Sequence, residues 1–242
     1  MAQTRPRQRD INLESAPQLL EYAAAADRIA ADGPRSVLDW GCGLGQMTRL
    51  LTDRGLEVTA FDYRIDASGL EQRALTRYPG LTQTVTDDPL AIPFPDDAFD
   101  AVLSMGVLEH VMDPDASLEE IHRVLVPGGT FYCYKLPNRT SYLEAIARRA
   151  GLYHHGVAEF DRLYDVESAT AIVRRHGFDV LEAQLSNMLP LTVPGRLTDA
   201  LRVPIWRTSN GLARIPGVNR LATNVELVAR ARPNPSGTAA GA

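Results

Sequence analysis

The sequence is short of cysteine, and this shortage excludes two classes of protein. Only two cysteines occur among its 242 residues, Cys42 and Cys133, and they are far apart with no metal-ligand spacing. A disulfide-stapled secreted domain or a cysteine zinc site needs more cysteines at closer spacing. We therefore interpret both residues as reduced thiols, which is typical of a cytoplasmic protein.

The sequence also lacks an excess of positive charge and a long apolar run. Its net charge is −5, which argues against a protein that binds nucleic acid through bulk charge. The alanine run Ala23–Ala26 is too short and too weakly apolar for a signal-peptide core, and no stretch is long enough to span a bilayer. These absences predict a soluble, cytoplasmic chain without a nucleic-acid partner.

The remaining composition suits one α/β domain. Hydrophobic residues make up 45% of the chain, which is enough for one buried core, whereas two full domains would be cramped in this length. Residues 1–10 are polar and charged, and residues 232–242 are rich in Pro, Gly, Ser and Ala, so both are predicted to be disordered tails. The domain is expected to span residues 11–231.

Short apolar runs alternate with helical patterns along this domain. Such alternation predicts βαβ units, and hence a Rossmann-like, doubly wound, mainly parallel sheet with helices on both faces. Ligands of this fold bind outside the carboxyl ends of the strands, where the strand order reverses. The seven predicted strands are residues 36–40, 57–61, 81–86, 100–105, 130–136, 178–185 and 225–231.

A glycine-rich loop follows the first predicted strand. Gly41, Gly43 and Gly45 allow a tight turn and a close approach of a ligand to the backbone, unless they serve the turn alone. A dinucleotide-binding loop reads G-x-G-x-x-G, but Gln46 occupies the place of its last glycine. Asp39, two residues before the first glycine, suits a cationic ligand better than a pyrophosphate. The sulfonium and ammonium groups of S-adenosylmethionine have the charge that this loop favours.

The segment Val37–Gln46, VLDWGCGLGQ, resembles motif I of the class I S-adenosylmethionine-dependent methyltransferases. The similarity runs from about Arg35 to about Gln184, and it extends to the type 11 methyltransferases and the O-methyltransferases of ubiquinone biosynthesis. It implies a sheet whose last strand is antiparallel, with S-adenosylmethionine as the methyl donor.

Acidic residues at the ends of the second and third predicted strands fit the same ligand. Asp62 lies about twenty residues after the glycine loop, where a carboxylate can accept hydrogen bonds from ribose hydroxyls. A helix cap is the alternative role for Asp62. The resemblance assigns the adenine contact to Asp87 or Asp88. Because Pro89 follows Asp88 and has no N–H to offer the ring, we prefer Asp87.

The fourth strand and the loop after it supply the next candidates. The resemblance places Ser104 and Met105 beside the methionine part of the cofactor. His110 follows at the mouth of the site, and a histidine there can take the proton of a hydroxyl acceptor. The alternative is that His110 packs at the start of a helix and bonds to the backbone.

The segment LEHV, together with Asn138-Arg139-Thr140, resembles the ubiquinone-pathway enzymes, whose E-x-x-E-H motif is associated with a divalent cation. In this sequence Gly106 replaces the first glutamate. Glu109 and His110 alone make a poor magnesium site, since that ion favours several oxygen ligands. The sequence therefore predicts no metal site.

Two later segments are predicted to face the acceptor. Residues 138–164 form a predicted substrate lid, in which packing on the sheet edge is the alternative for every residue. Its candidate contacts are Asn138, His154, His155, Asp161 and Tyr164.

Residues 188–223 form a predicted insertion between the last two strands, longer than connections in compact domains usually are. It carries five arginines, one acid and several apolar residues, among them Trp206. Such a segment can lie on an anionic membrane or hold a lipid-linked substrate. The alternatives are a helical lid, whose length Pro204 would limit, and a contact between two copies of the chain.

Taken together, these features predict methyl transfer from S-adenosylmethionine to a hydroxyl of a small-molecule acceptor. Methylation of nitrogen or carbon, on a lipid-linked or secondary metabolite, stays open. A nicotinamide oxidoreductase would share the fold, although Gln46 counts against it. A non-catalytic cofactor-binding module would keep the same glycine loop.

Overall fold

The computed structural model describes residues 15–63, 83–152, 155 and 159–233. Residues 1–10, His154 and most of the predicted carboxyl-terminal tail lie outside this range.

One mixed sheet of seven strands organises the described part of the chain. Its strand order is β3-β2-β1-β4-β5-β7-β6, and β7 runs antiparallel to β5 and β6 while the remaining pairs are parallel. The predicted doubly wound sheet with an antiparallel last strand is therefore confirmed. The strands are β1 (Ser36–Trp40), β2 (Glu57–Tyr63), β3 (Gln83–Thr86), β4 (Phe99–Met105), β5 (Leu125–Pro137), β6 (Phe178–Ser186) and β7 (Asn224–Ala231).

Seven described α-helices and one 3₁₀ turn accompany the sheet. They are α1 (Ala16–Asp32), α2 (Gln46–Thr52), α3 (Pro114–Val124), α4 (Tyr142–Arg149), α5 (Val166–Arg175), α6 (Arg196–Ala200), α7 (Arg202–Ala213) and the 3₁₀ turn Asn219–Leu221. Residues of α1 and α2 pack on one face of the sheet, and residues of α3 and α5 pack on the other.

Successive side chains of β1 point to opposite faces of the sheet and pack against different helices. Leu38 and Trp40 join the large cluster under α3 and α5, whereas Val37 joins the cluster under α1 and α2. Because successive residues of a strand point to opposite faces, Asp39 shares the side of Val37. The one acid of this strand is thereby directed toward α1 and α2, at the carboxyl end of the strand.

The helix boundaries follow local chemistry. The Ser15 side chain accepts a hydrogen bond from the amide of Gln18 at the start of α1, and Gly33 ends the helix with φ 80°. Asp113 caps α3 by accepting from the amides of Asp115 and Ala116. These caps set where α1 begins and ends and where α3 begins.

The segment between β6 and β7 is folded against α1. Helices α6 and α7 meet at Leu201, and Pro204 lies in the first turn of α7, where a missing amide does the helix little harm. The buried Asn187 donates to the Glu21 carboxylate, and the hydroxyl of Ser15 donates to the Leu191 carbonyl. Within the described residues, no helix is both long and apolar enough to cross a membrane.

The strand order reverses between β1 and β4, the two strands at the centre of the sheet. The loops that leave their carboxyl ends therefore meet at one edge, which is where an α/β sheet of this kind binds ligands.

Candidate functional site

The loops after β1 and β4 meet at Gly41 and Val107. Gly41 has φ 71°, and a Cβ placed on it would lie 2.5 Å from both methyl carbons of Val107. The amides of Gly41 and Cys42 donate to the Phe61 carbonyl at 2.9 and 3.0 Å, which ties the glycine loop to the end of β2. Only glycine meets both the steric and the backbone requirement at this position.

Asp39 is a buried carboxylate beside this loop. It accepts a hydrogen bond from the hydroxyl of Thr48 at 2.5 Å. Burial raises its pKa to about 6, the Thr48 bonds act in the opposite direction, and the charge of Asp62 adds to the rise. Within the described residues no lysine or arginine forms an ion pair with Asp39. A bound cation would therefore stabilise its ionised form.

Asp62, at the end of β2, holds the glycine loop in place. One of its oxygens accepts from the amide of Gly43 at 2.8 Å, and the other accepts from the amide of Tyr63 at 2.8 Å. A carboxylate oxygen can accept more than one hydrogen bond, so ligand hydroxyls are compatible with these contacts. The carboxylate thus lies between the loop and the place where a ribose is expected.

Asp87 and Asp88 follow β3, and both are exposed. The Asp88 carboxylate accepts from the amide of Leu90 at 3.0 Å, and its own amide donates to the Thr86 hydroxyl at 3.2 Å. Asp88 is thereby used in forming a turn. The preference for Asp87 as the adenine contact stays a prediction.

Ser104 and Met105 end β4 in different surroundings. Ser104 is fully buried, with Trp40 of β1 and Cys133 of β5 as its paired neighbours in the sheet. Met105 is partly exposed and packs against the cluster under α1 and α2. Of the two side chains, Met105 is the one that a ligand at this edge can reach.

His110 and Asp161 form a hydrogen-bonded pair next to the end of β4. Nδ1 of His110 lies 2.7 Å from Oδ1 of Asp161, whose side chain is only 2% exposed. Arg162 fixes this pair, because its amide donates to the Glu109 carbonyl at 3.0 Å and its guanidinium donates to the Met112 carbonyl at 2.9 Å. The lid segment is thus fastened along the loop that carries His110.

A second pair, His155 and Glu144, lies against the first. Nδ1 of His155 is 2.6 Å from one Glu144 oxygen, and its amide donates to the other oxygen at 3.0 Å. The rings of His155 and His110 stack with centroids 5.7 Å apart and planes at 22°. Burial alone lowers the pKa of His155, but Glu144 and the charges of Glu109 and Asp161 outweigh it, so the net direction is upward.

Glu109 is a buried carboxylic acid next to the two histidines. Its Oε1 is 3.7 Å from Nε2 of His110, whereas its Oε2 is buried and has no hydrogen-bond partner among the described residues. Burial raises the pKa of this carboxyl to about 7, although the positive charges of His155 and Lys135 act in the opposite direction. An ionisable group with one oxygen left unsatisfied is costly to bury, which is typical of a functional position.

Two predicted substrate residues lie in the interior of the protein. Nδ2 of the Asn138 side chain donates to the carbonyls of Arg220 and Ala222 at 3.1 and 2.7 Å, so it fastens the insertion to the end of β5. Tyr164 is part of the main core and pairs with Asn138 through a β-bridge. The structure brings His155 to His110 but gives Asn138 and Tyr164 structural contacts, and a substrate role for any of them stays a prediction.

Glu144 is a candidate that only the structure reveals. Its spacing from Ser141 matches a capping box, in which the glutamate turns back onto the backbone. In the structure Ser141 does cap α4, but the carboxylate of Glu144 bonds to His155 instead. Nothing in the sequence signals this pairing, because it joins a helix to a loop eleven residues farther along.

Comparison with known proteins gives a consistent set of similarities. The family described as "Methyltransferase domain" matches residues 38–133. A ubiquinone biosynthesis O-methyltransferase of Xanthomonas campestris pv. campestris is 39% identical over 137 residues, which cover 54% of either chain. A probable S-adenosylmethionine-dependent methyltransferase of Mycolicibacterium smegmatis is 31% identical over 182 residues, covering 68% of this chain and 67% of that one.

Among solved structures, the fold is similar to that of Burkholderia thailandensis 1,6-didemethyltoxoflavin-N1-methyltransferase, which was crystallised with S-adenosylhomocysteine. The TM-score is 0.58 and the identity 18%, over 93% of this chain and 82% of that one. The chain spans about half the length of the first curated relatives that it matches.

The burial of Glu109 predicts a pH-dependent stability. Its pKa rises from 4.5 to about 7 on folding, so the folded state holds this proton more tightly than the unfolded state does. The free energy of unfolding therefore falls as pH rises from 4.5 through about 7. Glu109→Gln has no such penalty, so we expect it to be more stable than wild type at pH 8, by roughly 3 kcal/mol at most, with a smaller difference at pH 5. Urea unfolding of the cofactor-free chain at both pH values measures this.

The control for this experiment is Glu57→Gln, which changes an exposed glutamate at the start of β2. Its stability relative to wild type should not vary between pH 5 and pH 8. Equal effects of the two substitutions at pH 8 would contradict the burial argument.

Proposed function

The chain belongs to the class I S-adenosylmethionine-dependent methyltransferases, and from this premise we propose that it methylates a hydroxyl group of a small-molecule acceptor. The observation that carries the proposal is the pair of His110 and Asp161 at the carboxyl end of β4, beside the loop that Gly41 forms. Methylation of a hydroxyl oxygen requires a group that takes its proton, and a histidine bonded to a carboxylate can supply that group.

The residues at the ends of β1 and β2 fit the methyl donor. S-adenosylmethionine supplies a methyl group on a positively charged sulfur. Asp39 offers it a buried negative charge without a protein cation among the described residues, and Asp62 offers acceptor oxygens for hydroxyl groups. The missing side chain at Gly41 keeps the backbone compact where the two loops meet.

His110 and Asp161 suit the removal of a proton from the acceptor. With its Nδ1 bonded to Asp161, the ring of His110 is held in one orientation and would accept the proton at Nε2. Asp161 then acts as a positioning residue that stabilises the charged ring. Much of the remaining acceleration of methyl transfer comes from aligning the two reactants, which is a task for the loops around this edge.

Oxygen is favoured over other acceptor atoms by two facts. A hydroxyl has to lose its proton, and a carboxylate-bound histidine lies at the edge of the site. The relative from Xanthomonas is named as an O-methyltransferase. The fold alone does not decide the question, since the Burkholderia neighbour is named as an N1-methyltransferase. Nitrogen and carbon acceptors stay the alternatives.

The burial of Asp39 predicts that cofactor binding depends on pH. Its pKa of about 6 in the ligand-free chain means that at pH 5 most molecules hold the neutral acid, which attracts an ammonium weakly. We expect the affinity for S-adenosylhomocysteine to fall roughly tenfold between pH 8 and pH 5. Isothermal titration calorimetry measures this fall.

Asp39→Asn should bind more weakly than wild type at pH 8 and should show no such pH dependence. Asp53→Asn, an exposed change next to α2, is the matched control and should behave as wild type. A wild-type affinity that is constant from pH 5 to pH 8 would refute the role of Asp39.

The proposed role of His110 predicts a large loss of rate with intact binding. In the presence of a chelator, His110→Ala should lower kcat by roughly 10²- to 10⁴-fold, because general-base catalysis contributes about that much. Asp161→Asn should lower kcat and change the pH–rate profile. The measurement is release of S-adenosylhomocysteine in the presence of a panel of hydroxylated small molecules.

Two results separate this role from a structural one. Affinity for S-adenosylhomocysteine should be unchanged in His110→Ala. His122→Ala changes a half-buried histidine of α3 that contacts Phe178 and the Arg232 carbonyl, and this variant should keep the full rate. A fully active His110→Ala enzyme would exclude His110 as the base.

We also propose that the insertion, residues 188–223, contacts an anionic membrane or a lipid-linked acceptor. Exposed apolar side chains and exposed arginines alternate on it, with Leu197 72% exposed. The chain as a whole has a net charge of −5, so this segment is basic on an otherwise acidic protein. A basic and apolar segment of this kind is attracted to an anionic surface. The exposed arginines are Arg196, Arg202, Arg207, Arg214 and Arg220, and the exposed apolar residues are Leu197, Leu201, Val203, Ile215, Val218 and Leu221.

Co-sedimentation with vesicles of phosphatidylcholine and phosphatidylglycerol tests this contact. Each arginine near an anionic surface contributes about 1 kcal/mol, so changing Arg202, Arg207 and Arg214 to Glu should lower the membrane partition coefficient roughly a hundredfold or more. The control changes Arg174, Arg175 and Arg230 to Glu, which alters the net charge equally. If wild type does not bind these vesicles, the membrane contact is excluded.

A further inference from the structure

We propose that Glu109, His110 and His155 form a binding site for a divalent transition-metal ion. This inference concerns the binding of an ion and does not depend on methyl transfer, since the three residues would bind it whether or not the chain methylates a hydroxyl.

The three side chains are close enough to share one ion. One ligand atom from each of them lies within 4.8 Å of the other two. Nε2 of His110 is 3.7 Å from Oε1 of Glu109, and the two imidazole rings are stacked. Zinc–nitrogen bonds of about 2.0 Å place tetrahedral ligand atoms about 3.3 Å apart, so side-chain movements of about 1 Å close the site.

Each histidine is already oriented as a metal ligand is. Nδ1 of His110 bonds to Asp161 and Nδ1 of His155 bonds to Glu144, at 2.7 and 2.6 Å, so each ring would coordinate through Nε2. Both carboxylates are at least nine-tenths buried. Carboxylate bonds of this kind hold the imidazole ligands of metal sites in orientation and raise their basicity. A general base requires only one histidine–carboxylate pair, whereas this site contains two such pairs side by side.

Glu109 supplies the independent indication of a ligand. Its side chain is 3% exposed, and its Oε2 is buried without a hydrogen-bond partner among the described residues. A metal ion would satisfy that oxygen and stabilise the charged carboxylate. Gly106, with φ 71°, lies beside Glu109, and a Cβ there would meet Oε1 at an ordinary contact distance of 3.5 Å.

The ligand atoms select the class of ion. Two imidazole nitrogens and one carboxylate oxygen suit zinc, cobalt or nickel, whereas magnesium and calcium favour sets of oxygen ligands. The site therefore differs from a magnesium site built on an E-x-x-E-H motif, which the sequence does not complete. His155, from the lid, provides the third ligand instead of a residue at position 106.

Occupation of this site and proton transfer exclude each other at His110. A lone pair of Nε2 that coordinates an ion cannot take a proton from an acceptor. A chelator therefore keeps this site empty in the rate measurements on His110, and binding alone tests the ion.

Calorimetric titration of the full chain with Zn²⁺, after chelator treatment and without cofactor, tests the site. We expect one ion per chain, and Co²⁺ should give the visible absorption of a low-symmetry site. Separate His155→Ala and Glu109→Gln variants should each weaken Zn²⁺ binding at least about tenfold, and Glu144→Ala by roughly 10- to 100-fold. His122→Ala should bind as wild type does, and millimolar Mg²⁺ should give no heat.

Three results would overturn the proposal: absence of Zn²⁺ binding, unchanged Zn²⁺ affinity in both His155→Ala and Glu109→Gln, or Mg²⁺ binding as tight as that of Zn²⁺. Titration of the same samples with S-adenosylhomocysteine shows that each variant is folded. It also keeps the two proposals apart, because loss of cofactor binding contradicts the methyltransferase function and leaves the metal result intact.

Discussion

The contact between Gly41 and Val107 is the constraint on which the site depends. Because residue 41 has no side chain, the loops after β1 and β4 meet at a distance that a Cβ would reduce to 2.5 Å. Their meeting point is the place where the strand order reverses, so the carboxylates at the ends of β1 and β2 come to the same edge as Glu109 and His110. A side chain at residue 41 would push these two loops apart at the edge that they share.

This edge concentrates buried ionisable groups, at a cost to stability. Burial raises the pKa values of Asp39 and Glu109, so both carboxylates are harder to ionise than in water. Lys135, with an unusual φ of 65°, is held by Glu21 at 3.1 Å on the same side of the sheet as α1. Strain and buried charge of this kind are retained where ligands compensate for them. A cationic cofactor at Asp39 and a cation or a proton at Glu109 would each supply that compensation.

The parts that could be predicted from the sequence are those with local signals. Apolar runs between turn residues predicted all seven strands, and the spacing of Asp39, Gly41 and Asp62 predicted a loop that the structure shows held by Asp62 itself. The pairs His110–Asp161 and His155–Glu144 could not be predicted, because the first joins residues 51 positions apart and the second breaks a capping pattern. The resemblance to the ubiquinone-pathway enzymes and the place after the fifth strand make Asn138 a candidate, but its side-chain amide holds the insertion.

Ligand discrimination tests the central claim most directly, namely that this edge binds S-adenosylmethionine rather than a dinucleotide. Thermal unfolding is measured with S-adenosylmethionine, S-adenosylhomocysteine and NAD at equal concentrations. A ligand at a hundred times its Kd stabilises the folded state by about 2.7 kcal/mol, which amounts to a rise in Tm of several degrees. We predict that rise with both S-adenosyl compounds and none with NAD. A rise with NAD alone would contradict the account.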